Sequence, residues 1–253
     1  MGTRTSTFKR YEKKYMLNHR QYVALRELIK AHTKPDQYDH YTICNIYYDT
    51  DNYAIIRRSI EKPVYKEKLR IRSYGMPSDE DTIFFELKKK YKKEVFKRRV
   101  SLSVSELQSY LSDGIIPDVS QQVLDEIAYF MAMYKPIPKI FIAYERSALV
   151  GLDDTSLRIT FDQNIRFRED QLSLTSGDFG MKILDDNKYL MEIKIVGAMP
   201  LWLSRTLNKL NIYPRSFSKY GYCFQNYMHA KSAIIADDLT RDATKGVNYV
   251  RKF

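Results

Sequence analysis

Between Val64 and Tyr74 the chain sets Lys66, Lys68, Arg70 and Arg72 on every second residue, with Leu69 and Ile71 between them. Alternate side chains leave a β-strand on opposite faces, so this run has one cationic face and one largely apolar face. The pattern recurs: Arg10, Glu12 and Lys14; Glu86, Lys88 and Lys90; Lys97 and Arg99; Arg158 and Asp162; Glu192 and Lys194 each share a face. Rows of Lys and Arg bind oxyanions, because guanidinium forks grip two oxygens at once and ammonium groups act as point charges. A carboxylate inside such a row, as at Glu86 or Glu192, brings opposite charges onto one face beside other cations.

Any one stripe could be a solvated outer face. Six together read differently, because the opposite parity is apolar: Ile83, Phe85 and Leu87; Ile159 and Phe161; Met191, Ile193 and Ile195. That apolar face suits the outer wall of a barrel covered by amphipathic helices, which leaves the charges inside. A barrel of about eight strands has an interior just wide enough for side chains or a small ligand. Two cations about 6 Å apart repel by about 3 kcal/mol at an effective dielectric of 20. A ring of them calls for an anion.

The elements that must carry these rows can be read from the same sequence. Strands are expected at 7–15, 41–49, 64–74, 82–91, 93–102, 139–150, 156–162 and 188–196, from β-branched and aromatic alternation. Asn18 is an N-cap for a helix whose apolar residues include Tyr22, Leu25, Leu28 and Ile29, and Asp51 is expected to cap a short helix through Arg58. Further helices are expected from Ser103 or Ser105, over 119–134, from Pro200, and from Ser216 or Ser218 through Met228. The order shows no regular βαβ alternation. It predicts an α+β fold: a closed antiparallel barrel of about eight strands forming a polar tunnel, with amphipathic helices packed outside. One domain is expected over 1–253, with a core at about 7–229 and a tail at 230–253.

Composition narrows the partners. Among 253 residues, 42 Lys and Arg against 31 Asp and Glu give a net charge of +11, which suits a polyanionic partner. A hydrophobic content of 44% excludes wholesale disorder. Cys44 and Cys223 lack metal-ligand spacing, so a reducing cytoplasm is expected. No stretch reaches the ~18 apolar residues of a membrane span. The histidines (His19, His32, His40 and His229) show no metal spacing, and no P-loop, nucleophile elbow or glycine-rich dinucleotide turn occurs.

Assembled, these motifs resemble the VTC-domain polyphosphate polymerases of the triphosphate tunnel metalloenzyme (CYTH-like) superfamily, over about residues 7–229. The resemblance is carried by Arg10-Tyr11-Glu12-Lys13-Lys14-Tyr15, Ile46-Tyr47-Tyr48-Asp49-Thr50, Lys68-Leu69-Arg70-Ile71-Arg72-Ser73-Tyr74-Gly75 and Phe85-Glu86-Leu87-Lys88. It continues through Lys97-Arg98-Arg99, Tyr144-Glu145-Arg146, Leu157-Arg158-Ile159-Thr160-Phe161-Asp162, Met191-Glu192-Ile193-Lys194 and Ser216-Phe217-Ser218-Lys219-Tyr220. It implies phosphoryl-transfer residues at Arg70, Arg72, Arg146, Arg158 and Lys88. It implies phosphate or nucleotide binding at Lys14, Lys97, Ser218 and Lys219, and a divalent metal, Mn²⁺ or Mg²⁺, on Glu192; Lys68 and Arg99, on the same charged stripes, join the expected phosphate-binding set. Two positions depart from the pattern. Arg10 stands where the hydrolytic branch has the first acid of Glu-x-Glu-x-Lys, and Ser216 stands where the polymerases have a lysine, with Arg215 just before it.

The reaction so implied is transfer of the terminal phosphate of a nucleoside triphosphate, ATP first, to a growing polyphosphate chain. A metal-dependent triphosphatase and a non-catalytic module binding polyphosphate or nucleic acid are the alternatives. Nucleic acid is not the expected partner, since the alternating pattern favours an enclosed channel over exposed interleaved aromatics. The expected location is the cytoplasm, with a membrane partner that receives the product left open.

Overall fold

A computed structural model describes residues 10–92 and 94–228. The expected tail, His229 and the side chain of Arg10 lie outside the described residues. Among the described residues, period-two alternation becomes nine strands: β1 (Arg10–Asn18), β2 (Thr33–Asp49), β3 (Tyr65–Tyr74), β4 (Thr82–Tyr91), β5 (Glu94–Ser103), β6 (Ile137–Gly151), β7 (Arg158–Arg168), β8 (Met181–Lys182) and β9 (Lys188–Val196). Six helices separate them: α1 (His19–Ile29), α2 (Ala54–Ile60), α3 (Val104–Asp113), α4 (Gln121–Tyr134), α5 (Leu201–Lys209) and α6 (Lys219–Cys223), the last running into a π-helical turn at Phe224–Met228. None of these helices is long and apolar enough to cross a membrane.

The helix starts follow local chemistry. Asn18 and Ser103 each build a capping box, with Gln21 and Glu106 respectively, satisfying two backbone N–H groups that the first turn leaves without partners. The cap expected at Asp51 falls elsewhere. Asp51 is exposed and pairs with Lys139, whereas buried Asp49 accepts from the N–H groups of Thr50, Ile55 and Ile56 and from the Tyr220 hydroxyl. Asp49 ends a strand whose side chains alternate inward, so it reaches the start of α2 from beneath.

All strand pairs are antiparallel, in the order β1-β9-β7-β6-β2-β3-β4-β5, with β8 pairing β7. The registers put the charged rows on one face: Lys14 lies opposite Glu192, Arg70 opposite Glu86, Lys88 opposite Lys97, and Arg146 opposite Asp162. The sheet curls about that face, so that one short segment, 215–218, meets Lys14 near one end of the order and Lys68 near the other. Among the described residues no strand pairing joins β1 to β5, so hydrogen bonding alone does not close the wall. The free edge of β1 is taken instead by the chain before α6: Tyr15 bridges Pro214, and the Arg215 N–H donates to the Lys14 carbonyl at 2.7 Å.

Burial sorts the faces as the alternation predicts. Leu69, Phe85 and Leu87 pack under α3 and α4 with Leu107, Ile127 and Phe130. Ile159, Met191 and Ile193 pack under α1 and α5 with Leu25, Ile29 and Leu203. Each such large side chain, fully buried, contributes about 1.5–3 kcal/mol. A third cluster differs from expectation. Tyr220, Cys223 and Phe224 pack against Ile43, Tyr47, Ile142 and Tyr144, residues of the inner face. Helix α6 therefore sits inside the curl, not outside it.

Candidate functional site

The inner face is organised by two buried carboxylates. Glu86 (β4), 1% exposed, receives Arg70 Nε at 2.8 Å and Nη2 at 2.7 Å, Lys97 Nζ at 2.5 Å, and Arg99 more loosely at 3.9 Å. Burial alone would raise its pKa, but Arg70, Arg72 and Lys97 outweigh that and bring it down to about 2. Arg70 also donates to the Tyr47 hydroxyl at 3.1 Å. Its neighbour Arg72 is buried, with Nε on Asn45 Oδ1 at 2.9 Å and Nη2 on the Tyr144 hydroxyl at 3.4 Å.

Asp162 (β7) does the same on the facing side. Arg146 grips it bidentately at 2.6 and 2.8 Å, and Lys219 reaches it at 2.5 Å. Its pKa falls well below the usual carboxylate range because these cations overcome the burial penalty. Tyr144 lies between the two groups, with Lys219 Nζ 3.9 Å and the Arg146 guanidinium 5.2 Å from its ring centre. Burial opposes its ionisation, yet Arg72, Arg146 and Lys219 lower its pKa to about 8. Paired charges of this kind hold guanidinium planes in fixed orientations, which is what binding a multivalent oxyanion requires.

Glu192 (β9) projects to the same face. Lys194 Nζ lies 2.5 Å from it and Lys14 Nζ 3.7 Å, while Lys14 also sits 3.4 Å from Glu12 and donates to the Phe217 carbonyl at 3.4 Å. Burial raises the Glu192 pKa, but Lys194 and Lys14 prevail and lower it to about 2. It is therefore a carboxylate at neutral pH, and Glu12 stands across Lys14 from it. The described residues hold no cluster of three acidic, His or Cys side chains suited to a metal. One or two carboxylates fit Mg²⁺ or Mn²⁺ when substrate phosphates and water complete the shell, so the donor set suits a metal that arrives with its substrate.

Lys68 (β3) is held differently. It donates to the Ser218 hydroxyl at 3.1 Å, and Ser218 in turn accepts from the Gly221 N–H as the N-cap of α6. Burial, with Lys66, Lys88, Lys14 and Arg70 nearby, lowers its pKa to about 7. Lys88 is half-buried and its pKa is lowered chiefly by burial, despite the nearby Glu12 carboxylate. The remaining candidates lie at the margin. Arg158 pairs with Asp36 at 2.7 Å with 43% of its side chain exposed, and Arg99, at 42%, stacks on Phe84 at 4.4 Å.

The candidate cations on strands lie on the charged face and Lys219 meets that face from α6, while Glu86, Asp162, Asn45 and Tyr144 hold the central ones, Arg70, Arg72, Arg146, Lys97 and Lys219, in place. Glu86 and Asp162 were visible as members of stripes. Their roles were not, because cross-strand partners depend on register, which the spacing within one strand does not reveal.

A curled antiparallel sheet with a buried cationic inner face defines an oxyanion-binding fold. The sequence matches the VTC domain over residues 9–227, and the chain belongs to that family. Among curated proteins none matches it significantly. The fold is shared with the crystal structure of a candidate adenylate cyclase from Bacillus halodurans, at a TM-score of 0.50 and 16% identity over 82% of this chain and 92% of that one. A candidate adenylyl cyclase from Hippeastrum, described as having dominant triphosphatase activity, aligns at a TM-score of 0.47 and 13% identity over 86% of this chain and 95% of that one.

Proposed function

We propose that the chain is a nucleotide-dependent polyphosphate polymerase, a single domain in which the curled sheet serves as a tunnel for triphosphate and product. The observation that carries this reading is the convergence of Arg70, Arg72, Arg146 and Lys219 on one buried face, each fixed by a buried carboxylate, amide or phenol. Phosphoryl transfer needs alignment of the attacking and leaving oxygens and neutralisation of spreading charge, and little covalent help. Arg70, Arg72, Arg146 and Arg158 would clamp the triphosphate, while Lys14, Lys68, Lys88, Lys97, Arg99, Ser218 and Lys219 bind the remaining phosphates. Glu192 would hold Mn²⁺ or Mg²⁺, which would supply neutralisation of the phosphate charge. The acceptor is a phosphate already deprotonated, so no general base is required. ATP is the first nucleotide to test, in a cytoplasmic setting.

The test is direct. Purified full-length chain, incubated with ATP and Mn²⁺, should produce polymer that resolves as long polyphosphate on a gel. Release of orthophosphate with no polymer would replace this reading with a triphosphatase. Tight binding with neither product would replace it with a binding module.

A further inference from the structure

The two halves of the β3–β4 pair are compensated very differently. At Arg70 the register supplies Glu86 directly opposite. Two and four residues toward the start of β3, the register opposes Lys68 to Lys88 and Lys66 to Lys90, with Lys97 beyond Lys88 on β5. Like charges directly opposite one another on a sheet are destabilising. Lys66, Lys68, Lys88 and Lys90 are half-buried, not splayed into water, whereas Lys97 is paired with Glu86. Among the described residues no carboxylate lies within ion-pair distance of any of those four. Lys66 donates to the Ser59 carbonyl at 3.1 Å and Lys68 to Ser218, contacts that orient an ammonium group without neutralising it. Burial and mutual repulsion lower the pKa of Lys66, with Lys90, Lys62 and Lys14 as the repelling groups.

We infer that Lys66 and Lys90 extend the site by one register step into a second subsite, which binds the phosphates of a linear polyphosphate beyond the three that the arginine end accommodates. This rests on the polymerase reading for its biological sense, though not for its physics. Successive rows on a strand face stand roughly 6.6 Å apart, so the ladder from Arg70 to Lys66 spans about 13 Å. A single phosphate cannot bridge that run. A polyanion with charge at every unit neutralises all of it. Lys62, in the turn before β3, is close enough to act on Lys66.

The experiment compares wild type with the double substitution Lys66→Gln/Lys90→Gln, in the full chain. Binding of tripolyphosphate and of long-chain polyphosphate is measured by calorimetry over a salt series. Long-chain affinity should fall at least about tenfold, and the slope of log affinity against log salt should flatten by roughly one to two. Tripolyphosphate affinity should stay within about twofold. The variant should melt no lower than wild type, since it removes opposed like charges. Equal losses for both ligands would assign the lysines to the triphosphate site itself, and no loss for either would leave them as solvated cations; each result overturns the subsite. Because these arms read binding alone, a wild type that only hydrolyses ATP would sink the polymerase reading and leave the subsite standing.

Discussion

Glu86 shows what a single residue does here. It places one negative charge, 1% exposed, among Arg70, Lys97 and Arg99. Removing one member of such a buried group leaves the others uncompensated, at a cost of about 3–5 kcal/mol. Glu86→Gln should therefore lower the unfolding free energy by that order in chemical denaturation. The pH dependence has a definite sign. The folded pKa of Glu86 is about 2 against an ordinary 4.5, so its contribution is fully present above pH 4.5 and is lost as pH falls toward 2. Wild type should lose stability across that window, and Glu86→Gln should show a shallower decline. Lys68 titrates in the opposite sense. With its pKa lowered to about 7, it is largely neutral at pH 8, and a bound polyanion favours its charged form. Tripolyphosphate binding at pH 8 should take up protons, seen as a dependence of the calorimetric heat on buffer ionisation enthalpy, and Lys68→Met should reduce that uptake.

At the scale of elements, the segment from Pro214 to Gly221 ties the curl together from inside. It bridges Tyr15 on β1, accepts from Lys14, receives Lys68 of β3 through Ser218, and sends Lys219 to Asp162 on β7 and Tyr220 to Asp49 on β2. Ser218→Ala removes the cap of α6 and the acceptor for Lys68, so it should cost about 1 kcal/mol of stability. It should also weaken tripolyphosphate binding, because Lys68 loses its orienting contact. Unchanged affinity would mean that the hydroxyl serves the helix alone. The sequence made Ser218 and Lys219 legible as the start of a helix, and the stripes made the strands and their inward faces legible, since period-two alternation marks a strand whose two faces meet different surroundings. What it did not disclose was the side on which α6 packs. A five-residue helix with apolar Tyr220 and Cys223, followed by Phe224, can cover either face, and only the long-range contacts with Tyr47, Tyr144 and Asp49 decide. The cap at Asp49 was missed for the same reason: proximity in sequence pointed to Asp51, and strand geometry carried Asp49 beneath the helix.

For the whole molecule, the net charge of +11 and the concentration of cations on one inner face make folding and ligand binding two sides of one balance. The unfolded chain disperses these charges, while the folded chain gathers them, so a polyanion that binds only the folded state must raise the melting temperature. At a ligand concentration 100 times its Kd the gain is about 2.7 kcal/mol. For a chain of this size that corresponds to a shift of about 5–10 °C. Tripolyphosphate at moderate salt should give such a shift, and sodium chloride at equal ionic strength should not. Two substitutions then separate anion binding from metal-assisted chemistry. Arg70→Ala removes a fixed cation and should shrink the shift. Glu192→Ala removes a negative charge from a cationic surface, so the shift should persist or grow, while synthesis of polymer with ATP and Mn²⁺ should be abolished. Near-normal synthesis by Glu192→Ala would reduce that carboxylate to a counter-ion for Lys194 and Lys14, and the metal would have to be held by the phosphates and other groups.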